Sequence, residues 1–265
     1  MARGTLRAAA QYAEIALILA RRDFVRRYRG NVLGVLTTIA VPLLFLVTYA
    51  FVFSKVIPIK IRPGAGDTDY AFFLFAGLVG WNLFSETANR APQLFVNQVH
   101  YIRKPLFPSS ALVVASVLNA LYHALLWVAA FAIARLVSGH GLSVSMLAAP
   151  AVLCLLAVFS VGVSLLVATV GVYVGDLAEL MPPLLTLGFF LSPVLYSAER
   201  LAGVSPWLVA GNPMASQLEL LRGVLLSEGS VGLGTAMASA VWALGALAIG
   251  VLVHVRARPL LADVV

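Results

Sequence analysis

The stretch that decides the fold is "RRDFVRRYRGNVLGVLTTIAVPLLFLVTYAFVF", residues 21–53. It begins with a cluster of five arginines, and after Arg29 the next charged residue in the chain is Lys55. A helix needs about 20 consecutive apolar residues to cross the hydrocarbon core of a bilayer. The stretch therefore predicts a membrane-spanning helix preceded by a positively charged segment at one membrane face.

The composition extends this prediction to the whole chain. Of the 265 residues, 61% are hydrophobic and 11% are charged, and the mean hydropathy is +0.97, well outside the range of soluble domains. We predict an all-α integral membrane protein with one transmembrane domain over residues 1–265. The six predicted spans are 32–54, 70–88, 108–136, 146–174, 177–197 and 234–255. Their apolar runs are continuous, whereas the strands of a membrane β-barrel alternate between apolar and polar residues.

The basic residues predict the orientation. With six spans both termini lie on one side, and a cytoplasmic location of the termini puts twelve of the 18 lysines and arginines on the cytoplasmic side. These residues flank the spans and form no separate polar domain, so the net charge of +7 favours contact with anionic membrane lipids over nucleic acid.

The segment before the first span, residues 1–31, contains a predicted amphipathic helix over residues 10–29. Its apolar face comprises Ala13, Leu17, Ala20, Phe24 and Tyr28, and its basic face comprises Arg22, Arg26 and Arg29. Such a helix lies in the membrane interface. The alternative is a plain topology anchor.

The loop between the second and third spans, residues 89–107, contains a predicted short helix over residues 92–101. We expect its apolar side chains to be exposed and to form a docking surface for another protein. They are Leu94, Phe95, Val99 and Tyr101. The alternative is a helix that only rests on the bilayer.

Residues 198–233 form the longest predicted segment outside the membrane. The stretch "MASQLELLRGVLL" within it mixes apolar and charged residues, which predicts short helices that dip into the outer membrane interface. A loosely ordered loop is the alternative, against which the apolar content argues.

The sequence lacks the motifs of several function classes. It has no phosphate-binding loop, no nucleophile elbow and no metal-ligand spacing among its four histidines. Ionisable residues near or inside the predicted spans are few and lie mostly near their ends. The charged or broken-helix sites with which gradient-driven carriers bind ions at the membrane midplane are not evident. If the protein transports a molecule, another subunit must supply the energy.

Four stretches together resemble one known family. They are "RRYRGNVLGVLTTIAVPLL" (26–44), "VNQVHYIRKPLFPSS" (96–110), "VYVGDLAELMPPLLTLGFFLSPVLYS" (172–197) and "GNPMASQLELLRGVLL" (211–226). Their order and spacing resemble those of the transmembrane subunits of ATP-binding-cassette exporters for bacterial polysaccharides. One departure is the residue pair that enters the fifth span, which is Gly175–Asp176 where the family often has arginine and aspartate. Asp176 is still predicted to cap the fifth helix.

The resemblance implies a permease of the bacterial inner membrane, not an enzyme. Two copies of the chain would form a channel, with two copies of a separate ATPase subunit that bind ATP and Mg²⁺, so that this chain itself holds no cofactor or metal. It also implies an interface helix at residues 10–29 and a coupling helix at about 92–101, with Arg103 adjoining it.

The substrate that the resemblance implies is a lipid-linked polysaccharide, most closely O-antigen. We expect Arg22, Arg26, Arg27 and Arg29 to receive the lipid pyrophosphate, because guanidinium groups bind phosphate oxygens well. We expect aromatic side chains to contact the sugars in the channel. They are Phe45, Tyr49 and Phe53 in the first span and Phe189, Phe190 and Tyr196 in the fifth. The alternatives are an exporter of teichoic acid or capsule, an exporter of a small lipid or drug, and a membrane-embedded glycosyl- or acyltransferase.

Overall fold

The structure of the protein, a computed structural model, describes residues 2–28, 34–52, 69–104, 107–226 and 232–264. In these ranges all regular secondary structure is helical. The α-helices are α1 (Ala2–Tyr28), α2 (Gly34–Phe51), α3 (Asp69–Leu94), α4 (Val99–Ile102), α5 (Ser110–Val137), α6 (Ala149–Tyr173), α7 (Leu177–Leu191), α8 (Ala198–Val204), α9 (Pro206–Ala210), α10 (Pro213–Leu226) and α11 (Leu233–Val264). Short 3₁₀ turns cover Val96–Gln98 and Val144–Ala148.

Four of the described helical segments are long and apolar enough to cross a membrane. They are Asp69–Leu94, Ser110–Val137, Val144–Tyr173 and Leu233–Pro259, and they correspond to the second, third, fourth and sixth predicted spans. The first and fifth predicted spans appear as the shorter apolar helices α2 and α7. The integral membrane class is thereby supported by both helix length and composition.

The predicted helix bounds need two corrections. The helix of the fifth span ends at Leu191 and not at residue 197, because Ser192 is extended (φ −90°, ψ 148°) ahead of Pro193, as the residue before a proline favours. Asp176 precedes α7, but its side chain makes no capping hydrogen bond. Fifteen residues give α7 a length of about 22 Å, which is shorter than the hydrocarbon core.

The second correction concerns the short helix predicted over residues 92–101. Pro92 lies in the last turn of α3, and the chain then passes through a turn at Phe95, the 3₁₀ turn and the single-turn helix α4. We call residues 94–104 the connecting segment. It is compact, but it is not one helix.

Helix α3 is the centre of the bundle. In its most apolar 18-residue stretch, 72% of the residues are buried inside the protein, against 17% in the corresponding stretch of α11. It packs against α5, α6, α7 and α10, while α11 packs on α6 and α1 packs on α5. Because α3 runs the full length of the bundle, its two ends define an α1 end, near the connecting segment, and an α10 end.

Helix α1 packs on the bundle through a different face from the predicted one. Ala16 and Leu19 are buried in a cluster with Phe95 and Leu112, whereas Leu17 is exposed. The predicted helix is present within Ala2–Tyr28. Ala13 and Leu17 of its predicted apolar face are exposed, and contact of this face with the membrane interface stays a prediction. A periodicity argument finds an apolar stripe, yet it cannot tell packing against protein from contact with lipid.

Two glycines allow the close contact of α6 and α11. A Cβ at Gly162 would collide with the backbone at Ala246 and Leu247, and a Cβ at Gly250 would collide with the backbone of Gly162. Small residues at such crossings let helix backbones approach one another in membranes. Gly245 on the same helix has open space around it.

We therefore expect Gly250→Ala to lower the stability of the folded protein, because α11 must move away from α6. Overpacking of this kind costs about 1–3 kcal/mol, and the measurement is thermal unfolding of the purified protein. Gly245→Ala is the matched control and should leave the unfolding midpoint unchanged or slightly raised. Equal midpoints for the two variants would show that the glycine contact does not limit the packing.

Candidate functional site

The connecting segment is fixed to the bundle by Phe95. The Phe95 side chain is 0% exposed, and its ring centroid lies 5.4 Å from that of His254 on α11. The predicted exposure of Phe95 is therefore wrong. An aromatic side chain that follows directly on a long apolar helix can still turn back into the core, and the sequence alone does not distinguish the two directions.

Some of the other side chains of the connecting segment pack against the protein, and the others are exposed. Leu94, Val99 and Tyr101 are half-buried, and Tyr101 stacks on Phe107 at 4.8 Å between ring centroids. The exposed side chains are those of Val96, Asn97, His100, Arg103 and the adjoining Lys104. Among them only Arg103 is a residue that the resemblance associates with the coupling helix.

His254 links three helices beneath the connecting segment. Its Nε2 lies 2.9 Å from Ser109 Oγ at the start of α5, and its Nδ1 lies 3.0 Å from Thr169 Oγ1 on α6. All three side chains are buried. A displacement of Phe95 would therefore act on α5, α6 and α11 together, since all contact one imidazole. No sequence pattern indicates this cluster, because its members lie far apart in the chain.

Arg22 on α1 binds the connecting segment. Its guanidinium donates to Tyr101 Oη at 2.6 Å and to Gln98 Oε1 at 3.4 Å, and it forms an ion pair with Asp23 at 3.0 Å. This predicted phosphate ligand is thus engaged within the protein. Of the other predicted ligands, the side chains of Arg26 and Arg27 and the whole of Arg29 lie outside the described residues.

The predicted channel aromatics form two groups. On α2, Phe45 is 44% exposed and stacks on the half-buried Tyr49 at 5.9 Å. On α7, Phe190 is 59% exposed, whereas Phe189 packs against Trp81 at 5.6 Å.

The third aromatic of the second group, Tyr196, lies five residues after the end of α7. Its hydroxyl donates to the Phe190 carbonyl at 2.6 Å, which holds it beside α7. Phe53 lies outside the described residues. Among the described members of each group, Phe45 and Phe190 present the most surface to an outside molecule.

Arg222 on α10 is a residue whose importance the sequence did not reveal. Its side chain is 6% exposed and donates to the backbone carbonyls of Pro193 at 2.6 Å, Val194 at 2.5 Å and Phe73 at 3.2 Å. The guanidinium carbon lies 3.7 Å from the centroid of the Phe73 ring. A side chain at Gly77 would occupy the place of the guanidinium.

The segment that Arg222 holds is the turn of residues 192–197, which follows α7. Tyr70 Oη donates to the Leu195 carbonyl at 2.7 Å, and Asn212 Nδ2 donates to the Leu191 carbonyl at 3.1 Å. Asn212 Oδ1 in turn accepts from the Met214 amide at 2.9 Å at the start of α10. The turn is thus bound by side chains from α3, α10 and the residue before α10, which satisfy carbonyls that no helix satisfies.

The electrostatics around Arg222 include one nearby acid on the same helix. Partial desolvation raises the pKa of the Glu219 carboxyl above its ordinary value; Glu199 adds to the rise, and the positive charge of Arg222 opposes it. The main partners of Arg222 are therefore neutral carbonyl dipoles. In the described part of the chain, no three His, Cys, Asp or Glu side chains cluster in a way that could hold a metal ion.

The helical bundle and its apolar spans define an integral membrane protein. The chain belongs to the ABC-2 type transporter family, whose model matches residues 16–226. It is the permease subunit of an ABC-2 type exporter and not an enzyme, and permeases of this family work with an ATPase partner.

Three relatives carry the name O-antigen export system permease protein RfbA. One from Klebsiella pneumoniae is 26% identical over 81% of this chain and 81% of its own. A second from the same organism is 27% identical over 77% of each chain. One from Myxococcus xanthus is 27% identical over 78% of each chain.

We expect Arg222→Met to destabilise the α10 end of the protein. The substitution leaves buried carbonyls of the turn without donors, at about 1–3 kcal/mol for each group, so a total loss on the order of 3 kcal/mol would lower the unfolding midpoint by roughly 6–12 °C. Thermal unfolding of the purified protein is the measurement.

Arg200→Met is the control for that experiment, because Arg200 is exposed on α8 and a surface substitution changes stability by at most about 0.5 kcal/mol. An Arg222→Met protein as stable as the Arg200→Met protein would show that the carbonyls of the turn find other donors.

Proposed function

We propose that this permease exports a lipid-linked polysaccharide of the O-antigen kind from the cytoplasmic side of the bacterial inner membrane. The observation that carries the proposal is the set of relatives named O-antigen export permeases, which align over about four fifths of both chains. Two copies of the chain form the channel, and two copies of an ATPase subunit bind ATP and Mg²⁺.

In this proposal the chain crosses the membrane six times, with both termini in the cytoplasm. The six spans are the four long helical segments together with α2 and α7. The turn of residues 192–197 and the helices α8, α9 and α10 close the extracytoplasmic side. The shortness of α7 supports this view, because an apolar helix of 15 residues needs a further segment to reach across the bilayer.

The connecting segment contacts the ATPase in this proposal, but its residues have two different tasks. Val96, Asn97, His100 and Arg103 are exposed and form the contact. Phe95, with Leu94, Val99 and Tyr101, passes the movement to the bundle. The buried contact of Phe95 with His254 supports the second task.

The roles proposed for the channel aromatics follow from their exposure. Phe45 and Phe190 are exposed enough to contact the sugars, with Tyr49, Phe189 and Tyr196 positioned behind or beside them. Arg26, Arg27 and Arg29 remain the proposed ligands of the lipid pyrophosphate. Arg22 serves the contact between α1 and the connecting segment.

We expect Val96→Asp to uncouple ATP hydrolysis from export. Val96 is 45% exposed, so a carboxylate there is tolerated by the fold, but an apolar contact across the interface would become a buried, unpaired charge. The expected result is a permease of normal stability that copurifies with less ATPase and exports at least about tenfold more slowly.

Val204→Asp is the matched control, because Val204 is an exposed valine on α8, outside the helical segments that are long enough to cross the membrane. It should leave copurification of the ATPase unchanged. Normal copurification and export by the Val96→Asp permease would contradict the assignment of the connecting segment to the ATPase contact.

The function itself is tested in cells that lack this protein. We expect surface polysaccharide to disappear while the lipid-linked polymer accumulates on the inner face, because synthesis continues without export. Complementation with the wild-type chain should restore the surface polymer. Normal surface polymer in the deletion strain would overturn the proposed substrate, and loss of both pools would point to a role in synthesis.

A further inference from the structure

A stripe of polar side chains crosses two of the apolar helices near the α1 end. Glu86 and Arg90 lie one turn apart on α3, and Ser116, Asn119 and His123 lie on one face of α5. Arg90 Nη2 is 3.0 Å from Glu86 Oε1, and His123 Nδ1 is 3.4 Å from Glu86 Oε2. Ionisable groups inside membrane spans are costly to bury, so a paired set of them indicates a functional site.

A cavity opens at one end of this stripe. Its volume is about 630 Å³, which is within the usual range for small-molecule sites. Arg90 of α3 and Ser116 and Asn119 of α5 form one wall. Arg22 of α1 and Gln98 of the connecting segment form the other.

The charges of the cavity argue against phosphate as its ligand. Arg22 is paired with Asp23, and Arg90 is paired with Glu86. Each guanidinium therefore has its own carboxylate, and the site carries little net positive charge. A phosphate group would have to compete with both acids, whereas an uncharged ligand would not.

Three other side chains of the lining suit a ligand that is rich in hydroxyl groups. Gln98 and Asn119 carry carboxamides, which donate and accept at once, and Ser116 carries a hydroxyl that does the same. Asn119 is only 9% exposed, and its Nδ2 is held by the Ala115 carbonyl at 3.1 Å. Its carboxamide oxygen is thereby fixed in orientation as an acceptor for the cavity.

We propose that this cavity is a carbohydrate-binding subsite, in which the permease holds sugars of the lipid-linked glycan before they enter the channel. The inference rests on the proposed function for its substrate class. Within the wall formed by Arg22 and Gln98, the bond from Arg22 to Tyr101 joins α1 to the connecting segment. A displacement of the connecting segment therefore changes the shape of the cavity, which couples release of the sugars to the ATPase cycle.

The experiment places a photo-crosslinking amino acid at position 116 of the full chain in cells that contain the complete exporter. After irradiation, the permease is probed with antiserum against the surface polysaccharide of the same strain. We expect a crosslink between permease and glycan at position 116. The control is position 89, because Asn89 is exposed, adjoins Arg90 and does not line the cavity, so no glycan should be captured there.

A second variant tests the subsite without the crosslinker. We expect Asn119→Leu to slow the appearance of surface polysaccharide about tenfold, with normal copurification of the ATPase. Asn89→Leu makes the same chemical change outside the cavity and should export normally. Asn119→Gln, which keeps the carboxamide, should recover part of the rate.

Four results would overturn the subsite: crosslinking at position 116 to the ATPase, crosslinking there to lipid alone, an unchanged export rate for Asn119→Leu, and equal glycan capture at positions 116 and 89. Each leaves the proposed function intact as long as the deletion strain accumulates lipid-linked polymer. Normal surface polymer in the deletion strain overturns the proposed function and this inference together.

Discussion

The arrangement of the α10 end depends on how the backbone carbonyls of residues 192–197 are satisfied. A chain that leaves helix near a membrane exposes carbonyls that lipid cannot bind, and non-helical backbone is stable there only where protein groups or water supply the donors. Arg222 supplies donors to Pro193 and Val194, and Tyr70 supplies one to Leu195. Since Tyr70 and Phe73 belong to α3, the turn is fixed to the central helix of the bundle.

The α1 end is built on a different interaction, the burial of one aromatic ring. Phe95 fixes the connecting segment to His254, and His254 reaches Ser109 and Thr169. Arg22 adds α1 to the same assembly through Tyr101. Because α3 leads from this assembly to the turn at the α10 end, one rigid helix connects the contact proposed for the ATPase with the proposed extracytoplasmic closure.

Glu86 and Arg90 of the polar stripe lie on α3 between Phe73, at the α10 end, and Phe95, at the α1 end. They are closer to Phe95. The paired charges of the stripe explain how Glu86 and Arg90 are tolerated in an apolar helix. Its cavity is bounded by the same connecting segment that Phe95 holds. Mechanical coupling and substrate recognition are in this way proposed for neighbouring surfaces.

The membrane class, the approximate places of the apolar helices and the family could all be predicted from the residues alone, because span length and hydropathy are local properties of a chain. The helix α1 was likewise predictable from its periodicity. The burial of Phe95, the bond from Arg22 to Tyr101 and the contact of Arg222 with the turn emerged only from the packed structure. Each of these contacts joins residues far apart in the chain, and which side of a helix meets protein rather than lipid depends on the packed neighbours and not on the local pattern of apolar residues.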